Sequence, residues 1–229
     1  MPANTQLEHR LVSTRAVLET YIGRVLPDWE QFARGTELVT VERGEVLVPS
    51  HTHHPFAYHV VRGMLKLQVS DGRIGRTVAL IGENEFATCW TGLGMASYAR
   101  VAARIVPHQR ADPRLRPEGS PYSLVAIEPT TVLRATTTTV EALAERHHAW
   151  SILLSTVLAT SIVRITAAVP EMHLTSPEER YRSIRARRPD LVERISQREL
   201  AAHLGVTEVG MSRIVRRVAA QLAAAEPGA

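Results

Sequence analysis

Ser196-Gln197-Arg198-Glu199-Leu200-Ala201-Ala202-His203-Leu204-Gly205-Val206-Thr207-Glu208-Val209-Gly210-Met211-Ser212-Arg213-Ile214 spells two short helices and the turn between them. Ser196 and Glu199 form a capping box, the spacing at which a hydroxyl and a carboxylate satisfy each other's free amides at a helix start. Gly205 ends the first helix with a residue free to take positive φ, Val206 completes the turn, and Thr207 is a good N-cap for the next helix. That second helix is expected from Glu208 to about Ala220, with Met211, Ile214, Val215 and Val218 inward. Small Ala201 lets the helices approach, and Leu200, Leu204, Val206, Met211 and Ile214 form the wedge between them, which makes a helix-turn-helix. Upstream, Ser176-Pro177-Glu178-Glu179 is another capping box with proline at the first helical position, opening a helix that buries Tyr181 and Ile184.

Charge sets the same region apart. The chain has 229 residues and a formal net charge of +4. Between Thr175 and Arg217 stand ten arginines against six acids, a net of +4, so the rest of the chain balances. A neutral body joined to a small basic tail is what a nucleic-acid reader with separate sensing and binding parts would show; a solvated helical surface is the other reading. Lys66 is the only lysine, and arginine suits phosphate contacts.

At 45% hydrophobic and 22% charged residues the chain can bury a sizeable core, which excludes disorder and collagen-like repetition. The N-terminus lacks an apolar signal region and no stretch approaches ~18 uninterrupted apolar residues, which predicts a soluble, cytoplasmic protein with no membrane partner. One cysteine, Cys89, excludes an intrachain disulfide framework, a four-cysteine zinc site and an iron–sulfur cluster held by this chain's thiolates alone.

The first ~35 residues carry Leu11, Val12, Leu18, Tyr21, Ile22, Val25 and Leu26 at helical spacing, then the stop and restart signal Pro27-Asp28. From Leu38 short β-branched runs follow: 38–41, 45–48, 58–61, 65–69, 77–80 and 123–127, with turns at Arg43-Gly44 and Asp71-Gly72. Strands of about five residues at this spacing predict an antiparallel barrel or sandwich. Between Phe86 and Tyr122 the pattern breaks into an Ala-rich piece and then a loop, Pro107 to Pro121, with four prolines; 91–121 reads as an insertion. From about Thr138 to Val169 a long helix is expected, and the spacing of seven among Leu143, Trp150 and Val157 fits a partner helix in a homodimer, with packing inside one chain as the competing explanation.

The run from Gln197 to Ile214, with Glu178-Glu179-Arg180-Tyr181 before it, resembles the DNA-binding domain of Crp/Fnr-family transcription regulators. Val41-Glu42-Arg43-Gly44-Glu45-Val46-Leu47 and Tyr58-His59-Val60-Val61-Arg62-Gly63 resemble that family's nucleotide-binding roll, and the order of parts is similar too. The resemblance implies an α+β fold: an antiparallel β-roll (double-stranded β-helix) sensor domain over 1–137, a long dimerisation helix over 138–170, and a winged helix-turn-helix over 171–229. It implies double-stranded DNA with a pseudo-palindromic operator as partner, a homodimer, RNA polymerase contact if the protein activates, and no enzyme activity. It puts Thr207, Glu208, Val209, Gly210, Ser212 and Arg213 on the groove-facing start of the recognition helix. Arg213 is the candidate for base contact, since a guanidinium pairs bidentately with guanine O6 and N7. Gln197, Ser212, Arg216 and Arg217 are candidates for holding phosphates.

Nucleotide-binding members of that family cradle the phosphate with a Gly-Glu segment and an Arg-Ser or Arg-Thr pair. Gly82-Glu83 matches the first, whereas Pro121-Tyr122 stands where the second belongs and cannot replace an arginine against a phosphodiester. Arg114 or Arg116 of the inserted loop would have to rearrange to do so. The roll is therefore expected not to bind cAMP in the usual manner, no cofactor is assigned, and the effector is left open. His51-Thr52-His53-His54, followed by His59, would bring His51 and His53 to one side of a strand, as a metal site needs. That spacing is similar to the His-x-His of cupin enzymes, but the glutamate and second motif of that class are missing, and a histidine-rich surface loop is the other reading. Haem ligation through a histidine or Cys89 is not specified; Cys89 beside Trp90 reads as a small core residue. Beside a dimeric regulator, two alternatives stand: a cupin-like metal-dependent protein with an accessory DNA-binding domain, and an architectural DNA binder without effector.

Overall fold

The structure is a computed structural model and describes residues 3–52, 54–70, 75–88 and 122–225. The Asp71-Gly72 turn, His53, Cys89, Trp90 and the 91–121 insertion with Arg114 and Arg116 lie outside the described residues. The chain divides into two units, Met1–Leu67 with Leu80–Ser161, and Gln68–Ala79 with Ile162–Ala229.

The first unit opens with helices α1 (Ala3–Ile22) and α2 (Trp29–Arg34). Strands follow: β1 (Thr36–Val41), β2 (Val46–Val48), β3 (Phe56–Arg62), β4 (Leu65–Ser70), β5 (Gly75–Ile81), β6 (Phe86–Thr88), β7 (Tyr122–Ala126) and β8 (Thr130–Thr136). They form two four-stranded sheets in the orders β1-β8-β3-β6 and β2-β7-β4-β5. These non-sequential neighbours are the mark of a rolled double-stranded β-helix. Six of these strands coincide with the β-branched runs. Short β6 and Thr-rich β8 do not, although β8 is central to its sheet and pairs antiparallel with both β1 and β3. Gly63 makes the β3–β4 turn possible: at φ +92° a Cβ there would sit 2.6 Å from the Pro129 carbonyl oxygen.

Helices cover one face of the β1-β8-β3-β6 sheet. The long helix expected over 138–170 is broken into α3 (Thr137–Arg146) and α4 (His148–Leu174), with extended backbone at His147 between them. Thr136 caps α3 by accepting from the Thr139 amide. At the break, His147 Nε2 lies 2.9 Å from Asp28 Oδ2, and that bond holds the Asp28 carboxyl below its ordinary range. Asp28 itself starts α2 in the left-handed region.

Leu143, Trp150 and Val157 are buried in the chain's own core with Leu18, Leu26, Trp29, Phe32, Leu133 and Ala135. The spacing of seven read as a partner-helix stripe is corrected by this: those side chains are spent inside one chain, because a helix lying on a sheet repeats at the same interval as one lying on another helix. The Trp150 ring stacks on Trp29 at 6.1 Å between centroids and meets Phe32 at 5.1 Å, while its indole N–H donates to the Pro27 carbonyl at 2.7 Å. Other apolar residues of α4, Ile162 and Val163, are exposed.

His59 brings an imidazole into this interior. It sits in β3 with 6% exposure, and burial pushes its imidazole down to about 4. Unfolding frees it to titrate near the ordinary ~6.5, so the unfolded chain binds more protons between those values and stability falls as pH drops from ~6.5 towards 4, flattening below. Urea unfolding at pH 7 and pH 4.5 checks this: the loss attributable to His59, on the order of 2–3 kcal/mol, should vanish in His59→Leu.

Candidate nucleic-acid interface and effector site

The second unit carries four helices over 177–225: α5 (Pro177–Arg187), α6 (Pro189–Arg194), α7 (Gln197–Leu204) and α8 (Glu208–Ala225). Both expected boxes start helices, the first as a full reciprocal box and the second with the Ser196 cap. Ser176 Oγ accepts from the Glu179 amide and the Glu179 carboxylate accepts from the Ser176 amide at 2.7 Å, a bond that holds Glu179 below its ordinary range. Ser196 Oγ accepts from the Glu199 amide at 3.3 Å. Gly205 ends α7 in the left-handed region, at φ +69° and ψ 31°, with its N–H donating to the Ala201 carbonyl. Thr207 Oγ1 then accepts from the Gly210 amide at 3.1 Å, capping α8. Leu200, Ala201, Leu204 and Met211 are buried between the two helices, with Tyr181, Leu191, Ile195 and Val218 around them. No strand occurs among the described residues of 162–225, so the wing that the resemblance implies has no counterpart there. Pro189, at the first turn of α6, starts a helix in the segment just before α7.

The outer side of α8 carries the charge. Val209, Arg213, Arg216 and Arg217 are exposed at helical spacing, opposite buried Met211 and Val218. Arg213 and Arg216 pair with no acid among the described residues. Arg217 Nη1 lies 2.8 Å from Glu178 Oε2, and Arg182 holds the same carboxylate at 2.7 Å. Thr207 and Glu208 are exposed at the start of the helix, and Gly210 and Ser212 are half-buried. Ser212 Oγ donates to Gln197 Oε1 at 3.1 Å, joining two of the candidate phosphate-holding side chains across the turn. Arg198 lies 3.9 Å from Glu208, with both side chains largely in solvent. One contact has no signal in the turn motif itself: Arg180 of α5 donates to the Leu204 carbonyl at 2.6 Å, placing a cation on the C-terminal end of α7.

In the roll, Gly82-Glu83-Asn84-Glu85 is the turn between β5 and β6. Glu83 Oε1 accepts from the Gly63 amide at 3.0 Å and Glu85 Oε2 from the Gly82 amide at 2.7 Å. Tyr122 begins β7, and Pro121 lies outside the described residues. His51 does not lie on a strand. It stands in a turn with φ +59°, and its expected partner His53 lies outside the described residues. His54 instead bonds the Tyr58 hydroxyl through Nε2. Among the described residues no three His, Cys, Asp or Glu side chains gather in a way that could hold a metal ion.

A β-roll, a long helix and a helix-turn-helix in one chain define the fold of the Crp/Fnr transcription regulators. FixK2 from Bradyrhizobium japonicum is similar at TM-score 0.60 and 14% identity, over 81% of this chain and 85% of that one. The c-di-GMP-responsive global regulator CLP from Xanthomonas campestris is similar at TM-score 0.58 and 12% identity, over 84% and 90%. A Crp/Fnr-family transcriptional regulator from Thermus thermophilus is similar at TM-score 0.56 and 14% identity, over 81% and 87%. No protein-family model matches the sequence, and no curated protein matches it. At these identities the likeness is one of fold. No helix among the described residues is long and apolar enough to cross a membrane.

Gly205 tests the turn geometry. Nothing lies within 4 Å of a Cβ added there, so Gly205→Ala carries only the left-handed backbone cost, about 1 kcal/mol, and Gly205→Asn less. Urea unfolding of the two variants should rank them in that order.

Proposed function

We propose that this chain is a sequence-specific DNA-binding transcription regulator that acts as a homodimer on a pseudo-palindromic operator and is not an enzyme. The observation that carries the reading is the α7–Gly205–α8 helix-turn-helix with Arg213, Arg216 and Arg217 on its exposed side. Arg213 enters the major groove and reads a base, with Thr207, Glu208, Val209 and Gly210 beside it. Gln197, Ser212, Arg216 and Arg217 hold phosphates and set the register. Exposed Ile162 and Val163 on α4 support pairing with a second copy, since apolar side chains on a long helix need a cover. A dimer would set two recognition helices about 34 Å apart, one turn of the duplex. The functional division runs as a sensor over 1–137, a dimerisation helix over 138–170 and a DNA-binding part over 171–229. As an activator the protein would contact RNA polymerase.

The roll does not hold cAMP in the usual manner. Glu83 being bonded to the Gly63 amide supports this, as does a tyrosine beginning β7 where a phosphate-binding pair would stand. Calorimetry with cAMP should show no micromolar binding.

Arg213→Ala should cost ~1–3 kcal/mol at its specific base and relax discrimination there, whereas Arg217→Ala should weaken binding uniformly and flatten the salt dependence. Binding selection of random duplexes, followed by salt titration on the selected operator, measures both. Unchanged specific affinity in both variants would remove α8 from the groove.

A further inference from the structure

A cavity of about 50 Å³ lies in the first unit, walled by α1, α2, β3, β6, β8, α3 and α4, with Leu18, Phe32, Trp150 and Leu154 among its lining. It is on the helix-covered side of the β1-β8-β3-β6 sheet. Ala57 and His59 pair in register with Ala135 and Leu133, and all four share that face, since side chains along a strand alternate. The space is therefore separate from the interior of the roll, which faces the other way.

Its walls are apolar apart from Thr14, Tyr58 and His59, and the Tyr58 hydroxyl is bonded to His54. His59 Nδ1 lies 3.4 Å from the Thr14 hydroxyl, and the ring rests on Phe86 at 5.1 Å. His59 Nε2 is buried and has no hydrogen-bond partner. A buried polar atom left unmet is costly, and the great majority of such atoms in folded proteins find a partner. Water is a poor one here, because a buried water makes about three polar contacts and this cavity offers at most two, the free ring nitrogen and the Thr14 hydroxyl. Size brackets the alternative. The space exceeds the ~10–15 Å³ that one water needs and is about a third of the ~150 Å³ apolar cavity that takes benzene. Imidazole charged at neutral pH would demand an anion, but burial keeps His59 neutral down to about 4. A neutral ring presents a donor or an acceptor at Nε2 according to tautomer, and a hydroxyl serves either.

We propose that this cavity binds a small neutral molecule with an apolar body and a single hydroxyl, of the short-chain alcohol class, with His59 Nε2 as its one polar partner. Such a molecule would bridge α1, the sheet and α4 around Trp150, and it requires no metal, no nucleotide and no feature of the helix-turn-helix.

The test is a nuclear magnetic resonance titration of the full chain with 1-propanol, following the methyl groups of Leu18 and Leu154 and the Trp150 indole N–H. Saturable shifts at these groups are expected. His59→Leu, which exchanges an unmet polar atom for an apolar side chain and should melt no lower than the parent, should weaken binding at least tenfold. Leu154→Phe, which fills the space, should abolish it. Shifts that rise linearly with alcohol and are the same in both variants would overturn the proposal, as would a crystal structure with ordered water bonded to His59 Nε2 in the presence of 1-propanol.

Discussion

The first unit depends on the Trp150 ring. Three aromatic rings from two helices cluster with centroids 4.9 to 6.1 Å apart, Trp29 stacked on Trp150 and Phe32 tilted against both. The indole N–H is satisfied by the Pro27 carbonyl in the turn that separates α1 from α2. One side chain therefore fixes the position of α4, the entry of α2 and the end of α1 relative to the sheet. Truncating a buried aromatic of this size typically costs 3–5 kcal/mol, a large share of a domain's whole stability. The break at His147 follows from the same requirement. α3 buries Val140 and Leu143, α4 buries Trp150, Leu153 and Val157, and the Asp28–His147 bond ties the junction to the start of α2.

The cavity adjoins this cluster, and the two have a common origin. Flat, rigid rings pack well against one another and poorly around their edges, and the sheet beneath offers small Ala57 and Ala135 rather than side chains able to fill the gap. A leucine at 59 would remove an unmet polar atom with little change in volume. Histidine there leaves one buried nitrogen, Nε2, unmet by the fold, the pattern expected where a position serves something other than folding.

What the sequence announced was local. Capping boxes, a glycine in the left-handed region and a threonine N-cap act between residues three or four apart, so the Ser176, Ser196, Gly205 and Thr207 readings needed nothing from the rest of the chain. The six β-branched runs were legible for the same reason, whereas β8 was hidden because its threonines run on into Thr137–Thr139, which belong to a helix. Tertiary effects were not legible. No proline or glycine marks His147, since the break there is imposed by docking on both sides. The spacing of Leu143, Trp150 and Val157 reveals that a face is buried but not against what. His59 could have been singled out as a lone polar residue in Tyr58-His59-Val60-Val61, yet its neighbours in sequence drew it into a histidine cluster of which His51 stands in a turn and His59 in the core.

On the proposed reading, the arginines of α8 differ in what they give up on reaching DNA. Arg217 leaves Glu178, but that carboxylate keeps Arg182, and exposed ion pairs of this kind contribute only ~0–1 kcal/mol. Exchange for a phosphate is therefore nearly free, which suits a contact that sets position without reading sequence. Arg213 and Arg216 have no such internal partner among the described residues, so the full attraction of their guanidiniums is left for the duplex. Arg180 is the counterpart on the inner side: its charge is held at the end of α7 by the Leu204 carbonyl, where it fixes the angle of the turn and so the direction in which Arg213 is presented. The basic composition of this unit is thus divided between arginines that build the turn and arginines that face outward, and only the geometry of the helices separates the two sets.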